Sequence, residues 1–319
     1  MSNELYHTRS AILFIFFNRL DTTLKVLEQI KAAKPARLYL TCDGARATRV
    51  GEAEKCLETR QAVLDFIDWK CEVKTLFRDD NLGPKNAISS AITWFFEFEQ
   101  EGIILEHDCL PATSFFYYCD SLLEKYRFDT RISLVSGFNF RSSKKKGDGS
   151  YYFSNLTNGW GWATWRRTWD SYDKDLKKYN VNEIRKPLES IFDNPLIVDR
   201  WIELFNDTQS GKIDTWDYQL TFSHLFNHSL TIIPNSNLVS NIGFGDLAEN
   251  TTDAESPFAA VPLEEVTTLV HPTFMFPQKE ADEELLFEEF DLRGKLAYLK
   301  KHNSYRRRFK RWLKNVFQS

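Results

Sequence analysis

Residues 102–111 contain an apolar run that ends abruptly in two acidic residues. The run is Ile103–Leu105, and the acids Glu106 and Asp108 follow it directly. An apolar run of this kind is typical of a parallel strand that is buried on both faces. Ligands of open α/β sheets collect at the carboxyl ends of such strands, where two carboxylates can hold a divalent cation and, through it, a diphosphate. The alternative is that the two acids simply begin a solvated loop.

The first 140 residues alternate apolar runs with segments of helical periodicity, which predicts a doubly wound, mostly parallel α/β sheet of the Rossmann-like type. The other predicted strands of this part are 11–17, 37–42, 72–77 and 132–136. Further on, the pattern predicts helical structure within 183–206 and 215–227, short strands at 230–233 and 237–242, and an acidic, irregular segment at 246–290. At 319 residues the chain is long enough for one large domain, or a domain with an added lobe.

Two features predict a cytoplasmic protein. The apolar run at 11–17 is short and has no basic lead-in, so we interpret it as a strand and expect no signal peptide. The five cysteines are odd in number and have no C-x-x-C spacing, which favours reduced thiols over a disulfide framework. No stretch of the sequence reaches the apolar length needed to cross a bilayer.

The charge is unevenly distributed along the chain. The net charge is −4, but residues 293–319 carry ten bases and no acid, which leaves 31 bases against 45 acids in the preceding part. Phe309, Trp312, Leu313 and Val316 share one face of a helix in this tail, with lysines and arginines around the rest. This pattern predicts a basic amphipathic helix that binds an anionic membrane surface. Packing on the protein itself is the alternative, and the acidic body argues against nucleic acid as a partner.

Polar residues also follow the first two predicted strands. Asn18 and Arg19 come after the first strand and can contact a nucleobase or phosphate, and Asp43 after the second can accept hydrogen bonds from ribose hydroxyls. Helix capping is the alternative for Asp43. Neither G-x-G-x-x-G nor the P-loop motif occurs, so a bound diphosphate would need a cation to neutralise it.

The second half contains two further candidates. Trp160 and Trp162 alternate with glycines, and indoles in such a setting can stack on the apolar faces of a sugar ring. Asp217 lies near the start of a predicted helix, where the helix dipole favours its ionised form, and it can take a proton from an attacking hydroxyl. Core packing of the indoles and helix capping by Asp217 are the corresponding alternatives.

Taken together, these residues resemble the GT-A-fold glycosyltransferases, in particular bacterial nucleotide-diphospho-sugar transferases related to N-acetylglucosaminyltransferase I. The resemblance covers about residues 10–245. Its landmarks, in order, are FFNR (16–19), CDGAR (42–46), FRDDNLGPKNAI (77–88), GIILEHDCLP (102–111), VSGFNF (135–140), NGWGWATWRRTW (158–169), TWDYQ (215–219) and NIGFG (241–245).

The resemblance implies a role for each matching residue. Asp108 would hold a Mn²⁺ or Mg²⁺ ion, Glu106 would lie beside the donor sugar, and Asp217 would be the general base of an inverting transfer. The nucleotide-sugar would be bound by Asn18, Arg19, Asp43, Asn81, Gly83, Lys85 and His107, and the acceptor pocket would include Trp160, Trp162 and Trp216. The family usually has an acid at the position of His107, a departure that bears on metal affinity.

We therefore predict a metal-dependent inverting glycosyltransferase that moves a sugar from a nucleoside-diphosphate donor to a hydroxyl of a surface-glycan or lipid-linked precursor, at the cytoplasmic face of a membrane. The predicted divisions are a donor-binding half (1–140), an acceptor-side lobe with the catalytic base (141–290) and the basic tail (291–319). Two alternatives stay open: a sugar-phosphate nucleotidyltransferase, and a non-catalytic nucleotide- or glycan-binding scaffold on a degenerate GT-A fold.

Overall fold

A computed structural model describes residues 6–140, 145–245, 253, 255–295 and 298 of the chain. The strands are β1 (Ala11–Phe16), β2 (Arg37–Cys42), β3 (Glu72–Phe77), β4 (Glu101–Glu106), β5 (Cys109–Pro111), β6 (Ile132–Ser136), β7 (Tyr151–Ser154), β8 (Trp162–Trp165), β9 (Leu230–Pro234) and β10 (Val239–Asn241). The helices are α1 (Leu20–Ala33), α2 (Glu52–Phe66), α3 (Gly83–Phe98), α4 (Ser114–Tyr126), α5 (Arg166–Trp169), α6 (Arg185–Ile191), α7 (Pro195–Gln209), α8 (Asp217–Phe226) and α9 (Lys279–Glu289).

Eight of the described strands form one sheet in the order β3-β2-β1-β4-β8-β6-β9-β7. The first four are mutually parallel, and β6 and β9 run in the same direction, whereas β8 and β7 are antiparallel to their neighbours. A second, two-stranded sheet pairs β5 with β10. The predicted fold class, an α/β protein with a mostly parallel Rossmann-like sheet, is thereby confirmed.

Both faces of the sheet are covered, as the apolar composition of its strands predicts. Every residue of β1 is buried: Ile12 and Phe14 pack into a core with α1, α2 and α4, and Leu13 packs into the opposite core with α3. Helices α1 and α2 share one face because β1, β2 and β3 follow one another in one direction across the sheet, and α3 lies on the other face because the chain then returns to β4, as expected for right-handed crossovers.

A third apolar cluster lies beside the sheet and is built from α6, α7, α8 and α9. Helix α6 falls within the segment 183–206 that was predicted to be helical, and α7 begins in it and continues to Gln209. The prediction for 246–290 was wrong in one respect, because its last part forms α9, whose Leu285 and Leu286 are buried in this cluster.

The predicted boundary at residue 140 follows β6, and β7, β8 and β9 from the second half join the same sheet. Strands β7 and β8 were not predicted from the sequence. Residues 301–319 of the basic tail lie outside the described residues, so its amphipathic helix stays a prediction. None of the described helices combines the length and apolar character needed to cross a lipid bilayer.

Candidate active site

The carboxyl ends of β1, β2 and β4 lie side by side at one edge of the sheet. Ile15 of β1 is opposite Glu106 of β4, and Phe16 is opposite Cys42 of β2. The loops that leave this edge carry Asn18, Arg19, Asp43, Glu106, His107 and Asp108. Because ligands of α/β sheets bind at this edge, it is the candidate active site.

Asp108 occupies the tight connection between β4 and β5, where the backbone of a distant loop covers it. Its carbonyl oxygen accepts a hydrogen bond from the amide of Ile242 at 2.8 Å. A Cβ atom added to Gly243 would lie 2.2 Å from Asp108 Oδ2, so only glycine allows this approach. The Gly243 amide in turn donates to Asn241 Oδ1 at 2.8 Å. The carboxylate of Asp108 therefore packs directly on the loop that follows β10.

Asn18 and Arg19 tie the first loop to neighbouring segments. Arg19 Nη1 donates to the carbonyl of Gly243 at 2.9 Å, and Asn18 Nδ2 donates to Glu52 Oε1 at 3.0 Å. Glu52 is buried, and hydrogen bonds from the Arg46 guanidinium hold the pKa of its carboxyl below the usual range. The structure thus joins the loops of Asn18, Arg19 and Gly243 around one edge of the sheet.

Asp43 is held by the start of α3. Its carboxylate accepts hydrogen bonds from the amides of Leu82 at 2.9 Å and Gly83 at 3.2 Å, and Asn81 Nδ2 donates to the carbonyl of Gly44 at 2.8 Å. Burial raises the pKa of Asp43, and the amide hydrogen bonds oppose that rise. The capping alternative thus describes part of what Asp43 does, although the amides that it binds are those at α3 and not those of the next helix. Whether it also binds a nucleotide stays a prediction.

Lys85, in the first turn of α3, forms an ion pair with Asp175 at 3.2 Å. Its ammonium group is mostly covered, with 18 % of the side chain exposed. Lys85 follows Gly83 by two residues, which keeps it near the Asp43 loop. A phosphate that bound the Lys85 ammonium group would compete with Asp175 for it.

Asp217 comes from a distant part of the chain, yet its charge acts on Glu106 at the end of β4. Burial raises the pKa of Glu106 to about 8, and the negative charges of Asp108 and then Asp217 contribute further. The charges of Asp108 and Asp217 therefore both act on the Glu106 carboxyl. His107 lies between two of them in the chain and is partly exposed.

Asp217 is the first residue of α8 and is exposed. The hydroxyl of Thr215 and the amide of Tyr218 both donate to its Oδ1. The preceding carbonyl, that of Trp216, accepts a hydrogen bond from the Tyr172 hydroxyl at 3.1 Å. These contacts fix the start of α8 and orient the Asp217 carboxyl. Both of the hydrogen bonds to the carboxyl end on Oδ1, and neither ends on Oδ2.

The three predicted acceptor tryptophans differ in their surroundings. Trp162 is fully buried in β8 and stacks on Trp216 with ring centroids 5.8 Å apart, and Trp216 itself is only 6 % exposed. Core packing, the alternative to a sugar platform, thus accounts for the ring of Trp162. Trp160 is half-buried and packs edge-on against Phe138 and Phe244.

The glycine between the two indoles has a packing function. Gly161 has a φ of 62°, and a Cβ atom there would lie 2.7 Å from Val239 Cγ2. Its conformation and the close approach of β10 both require glycine at this position. The Gly/Trp alternation therefore reflects tight backbone packing as much as ligand access.

A small cavity of about 60 Å³ adjoins Asp217, and sequence reasoning did not find it. Its wall combines aromatic, aliphatic and polar residues: Leu156, Thr157, Gly159, Trp201, Trp216, Asp217, Tyr218, Leu220, Thr221, Leu286 and Glu289. Glu289 comes from the end of α9, within a segment whose acidic composition gave little sign of a packed helix. The spacing of Ala281 and Leu285 was the available signal.

A larger cleft of about 820 Å³ lies at the opposite edge of the sheet. Several of its charged residues form ion pairs within the cleft, for example Arg37 with Glu99 at 2.8 Å and Arg127 with Glu101 at 2.7 Å. Since it adjoins the amino ends of β2 and β4, it is separate from the edge where α/β sheets bind ligands.

No protein-family model and no curated protein matches this chain. Similar solved structures include HddC from Yersinia pseudotuberculosis, with a TM-score of 0.32 and 12% identity over 51% of this chain and 80% of that one. A UDP-glucose pyrophosphorylase complexed with UDP-glucose has a TM-score of 0.36 and 10% identity over 71% of this chain and 90% of that one. The glycosyltransferase GlyE of Streptococcus pneumoniae TIGR4 has a TM-score of 0.33 and 11% identity over 70% of this chain and 45% of that one. Likeness at this level assigns neither a family nor a reaction, so the function has to be argued from the residues themselves.

Proposed function

We propose that this protein is a metal-dependent, inverting glycosyltransferase that uses a nucleoside-diphosphate sugar. The observation that carries the proposal is the position of Asp108 directly after β4, at the carboxyl edge of the sheet, beside Glu106, whose pKa is raised by burial and then by the charges of Asp108 and Asp217. A transferase of this kind needs one carboxylate at the diphosphate and another at the attacking hydroxyl. The sequence resemblance assigns Asp108 and Asp217 to these two roles.

The donor would bind across the loops that follow β1, β2 and β4. Arg19 is positioned by Gly243, and Asp43 by the amides at the start of α3, so both side chains are held in place before a ligand arrives. The nucleotide would contact Asn18, Arg19, Asp43, Asn81, Gly83, Lys85 and His107. Preorganisation of this kind lowers the entropic cost of binding.

The donor atoms at Asp108 fit a Mn²⁺ or Mg²⁺ ion that is shared with the ligand. Carboxylate oxygens suit hard divalent cations, and such ions are commonly held by one or two carboxylates together with substrate phosphates. No group of three His, Cys, Asp or Glu side chains in the described part of the chain could hold a metal unaided. Asp108 would therefore hold the ion only together with a diphosphate, and the bound ion would stabilise the negative charge of the leaving group.

Asp217 would act as the general base on the acceptor side. Its Oδ1 accepts the hydrogen bonds from Thr215 and Tyr218, which leaves Oδ2 to take the proton of the acceptor hydroxyl. The acceptor oxygen then bonds to the anomeric carbon as the bond from that carbon to the diphosphate breaks, and the diphosphate leaves with the electron pair. Attack from the face opposite the leaving group inverts the configuration.

The acceptor would be a hydroxyl of a surface-glycan or lipid-linked precursor. Support for a membrane setting comes from the ten basic residues of 293–319 and their predicted apolar face. Trp160, with part of its ring accessible, would line the acceptor pocket, and the more deeply buried Trp216 would form part of its wall.

A screen for donor hydrolysis tests the proposal. UDP-, GDP- and dTDP-sugars are incubated with the protein and Mn²⁺ or Mg²⁺, and release of the nucleoside diphosphate is measured. We expect release from one nucleotide class, dependent on the metal and lost in Asp108→Asn but kept in Asp65→Asn, a change at an exposed residue of α2. Absence of release and of binding heat for every donor would contradict the proposal. Formation of a nucleotide-sugar from sugar phosphate and nucleoside triphosphate would instead establish a nucleotidyltransferase.

A further inference from the structure

The segment 261–278, which precedes α9, exposes several large apolar side chains. Phe274 and Phe276 are 71 % and 70 % exposed, and Leu263 and Val270 of the same segment are exposed as well. Single exposed apolar residues are normal on a protein surface, but neighbouring phenylalanines that both remain mostly in water mark a contact surface. The question is which partner covers this surface.

The backbone on both sides of the two phenylalanines is held by the folded domain. The Thr273 hydroxyl and amide donate to the Asp148 carboxylate at 2.5 Å and 3.2 Å, and the Ser150 amide donates to the carbonyl of Val270 at 2.7 Å. Met275, between the two phenylalanines, is partly buried against the main apolar core. The two phenyl rings are therefore presented to solvent from a fixed backbone.

The segment reaches the same edge of the sheet as the candidate active site. Strand β9 runs in the direction of β4, and β7 is antiparallel to β9, with Tyr151 opposite Pro234 at the end of β9. The start of β7 therefore lies at the carboxyl edge, where Asp108 follows β4. The Tyr151 hydroxyl shares a hydrogen bond with His271 Nδ1 at 2.9 Å, which places this part of the segment at that edge as well.

The charged groups next to the segment favour an anionic partner. Lys145 is exposed, and its ammonium group donates to the carbonyl of Asp148 at 3.5 Å, which keeps it beside Thr273. Two acids of this region are engaged already, because the Asp148 carboxylate accepts from Thr273 and Glu284 forms an ion pair with Lys146 at 3.2 Å.

The basic tail adds much more positive charge within reach of the same surface. Helix α9 begins three residues after Phe276, has 11 residues and is about 16 Å long, and residues 293–319 with their ten bases follow it. A flat surface can therefore contact the phenylalanines and the tail at once. Since one weak membrane signal gives only marginal binding, apolar contacts and charge are needed together.

We propose that Phe274 and Phe276 insert into the interface of an anionic phospholipid membrane, while Lys145 and the basic tail bind the lipid headgroups. The phenyl rings leave water on insertion, and the lysines and arginines are attracted by the negative surface potential. The inference goes beyond the proposed transferase function, because it concerns a contact of the folded body that does not depend on the reaction. Bound in this way, the protein has the carboxyl edge of its sheet close to the lipid surface.

Sedimentation of the full-length protein with vesicles of phosphatidylglycerol and phosphatidylcholine tests the inference. The double variant Phe274→Ser/Phe276→Ser should bind at least about tenfold more weakly than the wild type, because two apolar rings no longer leave water. The matched control is Phe98→Ser/Phe128→Ser, which changes two other exposed phenylalanines, at the cleft on the opposite edge of the sheet. This control should bind as the wild type does.

A second variant separates insertion from an effect on folding. Phe274→Trp/Phe276→Trp keeps large aromatic rings and should bind the vesicles at least as tightly as the wild type, because indoles favour the membrane interface. Urea unfolding of the serine variant should match that of the wild type, since both side chains are mostly exposed. If the serine variant is less stable, the tryptophan variant decides, and weaker vesicle binding by it would contradict the inference.

The other outcomes identify other partners. Equal binding by the serine variant and the wild type, or no vesicle binding by either, would overturn the inference. Tighter binding by the serine variant would overturn it too, because the phenylalanines would then hold the apolar face of the tail away from lipid. Self-association that the serine substitutions abolish, with vesicle binding unchanged, would make a second copy of this chain the partner.

The membrane inference and the transferase proposal fail independently. Donor hydrolysis without vesicles should be the same in the serine variant and the wild type, so a failed vesicle experiment leaves the transferase proposal standing. If vesicle binding depends on the two phenylalanines but no donor is bound or consumed, the membrane surface is established and the transferase proposal falls.

Discussion

Asp108 Oδ2 lies so close to the backbone of Gly243 that a Cβ atom at residue 243 would stand 2.2 Å away. The metal-binding candidate is therefore positioned by a loop that follows it by more than a hundred residues in the chain. Arg19 reinforces this arrangement, because its guanidinium donates to the carbonyl of the same glycine at 2.9 Å. The position of the Asp108 carboxylate thus depends on the NIGFG loop as well as on β4.

Substitution Gly243→Ala should displace the Asp108 carboxylate, because the added methyl group would lie 2.2 Å from its Oδ2 and 2.7 Å from its Cβ, so the whole short side chain has to move. We expect the metal concentration needed for half-maximal donor hydrolysis to rise at least about tenfold, equivalent to roughly 1.4 kcal/mol of lost binding. The measurement is a titration of hydrolysis with Mn²⁺. Gly211→Ala is the control, because a Cβ atom there meets nothing within 4 Å although its φ of 77° adds strain. An unchanged titration in Gly243→Ala would show that the loop adapts.

Asp217→Asn should abolish sugar transfer and leave the donor bound. The amide cannot take the proton of the attacking hydroxyl, so we expect kcat to fall by about 10²–10⁴. Calorimetry with the nucleoside diphosphate and Mg²⁺ should give the wild-type affinity. Asp199→Asn, at an exposed aspartate on α7, is the control for both measurements. Turnover near the wild-type rate in Asp217→Asn would remove this residue from the role of base.

Asp282 makes the stability of the protein depend on pH. It is 3 % exposed in α9 and accepts hydrogen bonds from Ser154 Oγ at 2.5 Å and from the Asn155 amide at 2.9 Å. Burial raises its pKa from 3.8 to about 6, against the effect of these hydrogen bonds. A carboxyl whose pKa is raised by folding stabilises the folded state at low pH, and this contribution is lost as the pH rises through about 6.

The free energy of unfolding of the wild type should therefore fall between about pH 4 and pH 7 relative to that of Asp282→Asn, by about 3 kcal/mol from the size of the pKa change. Urea unfolding of the two proteins across this range measures the difference. Asp65→Asn, at an exposed position of α2, should follow the wild-type curve. Parallel curves for wild type and Asp282→Asn would mean that hydrogen bonding offsets the burial of the carboxylate completely.

The parallel part of the sheet could be predicted from the sequence because its strands are apolar throughout. Strands β1, β2, β4 and β6 are buried on both faces, and composition alone reveals this. Strands β7 and β8 have only 4 residues each, and β8 lies antiparallel between β4 and β6. Its place depends on long-range pairing, which local pattern does not encode.

For the site as well, features that follow from the pattern of the strands could be predicted, and features that depend on long-range contacts could not. Asp43 and Asp108 could be found because parallel strands end at a common edge, whatever the details of packing. The nearness of Asp217 to Glu106 was implied only by resemblance, and the contact of Gly243 with Asp108 required the structure. Glu289 was missed because α9 is mostly polar and its sequence gives little sign of a packed helix. Only the packing of Leu285 and Leu286 brings the last residue of α9, Glu289, to the cavity.

The basic tail provides the last prediction. Residues 293–319 carry ten positive charges and no negative ones, and a chain cut after Leu292 loses all of them while keeping the buried Leu292 in its apolar cluster. The full-length protein should sediment with vesicles that contain an anionic phospholipid and not with purely zwitterionic ones, and raised salt should release it because screening weakens surface attraction. The truncated protein should stay in solution with both vesicle types and keep its donor hydrolysis. Equal sedimentation of the two proteins would mean that the tail serves the fold, and loss of donor hydrolysis on truncation would point to the same conclusion.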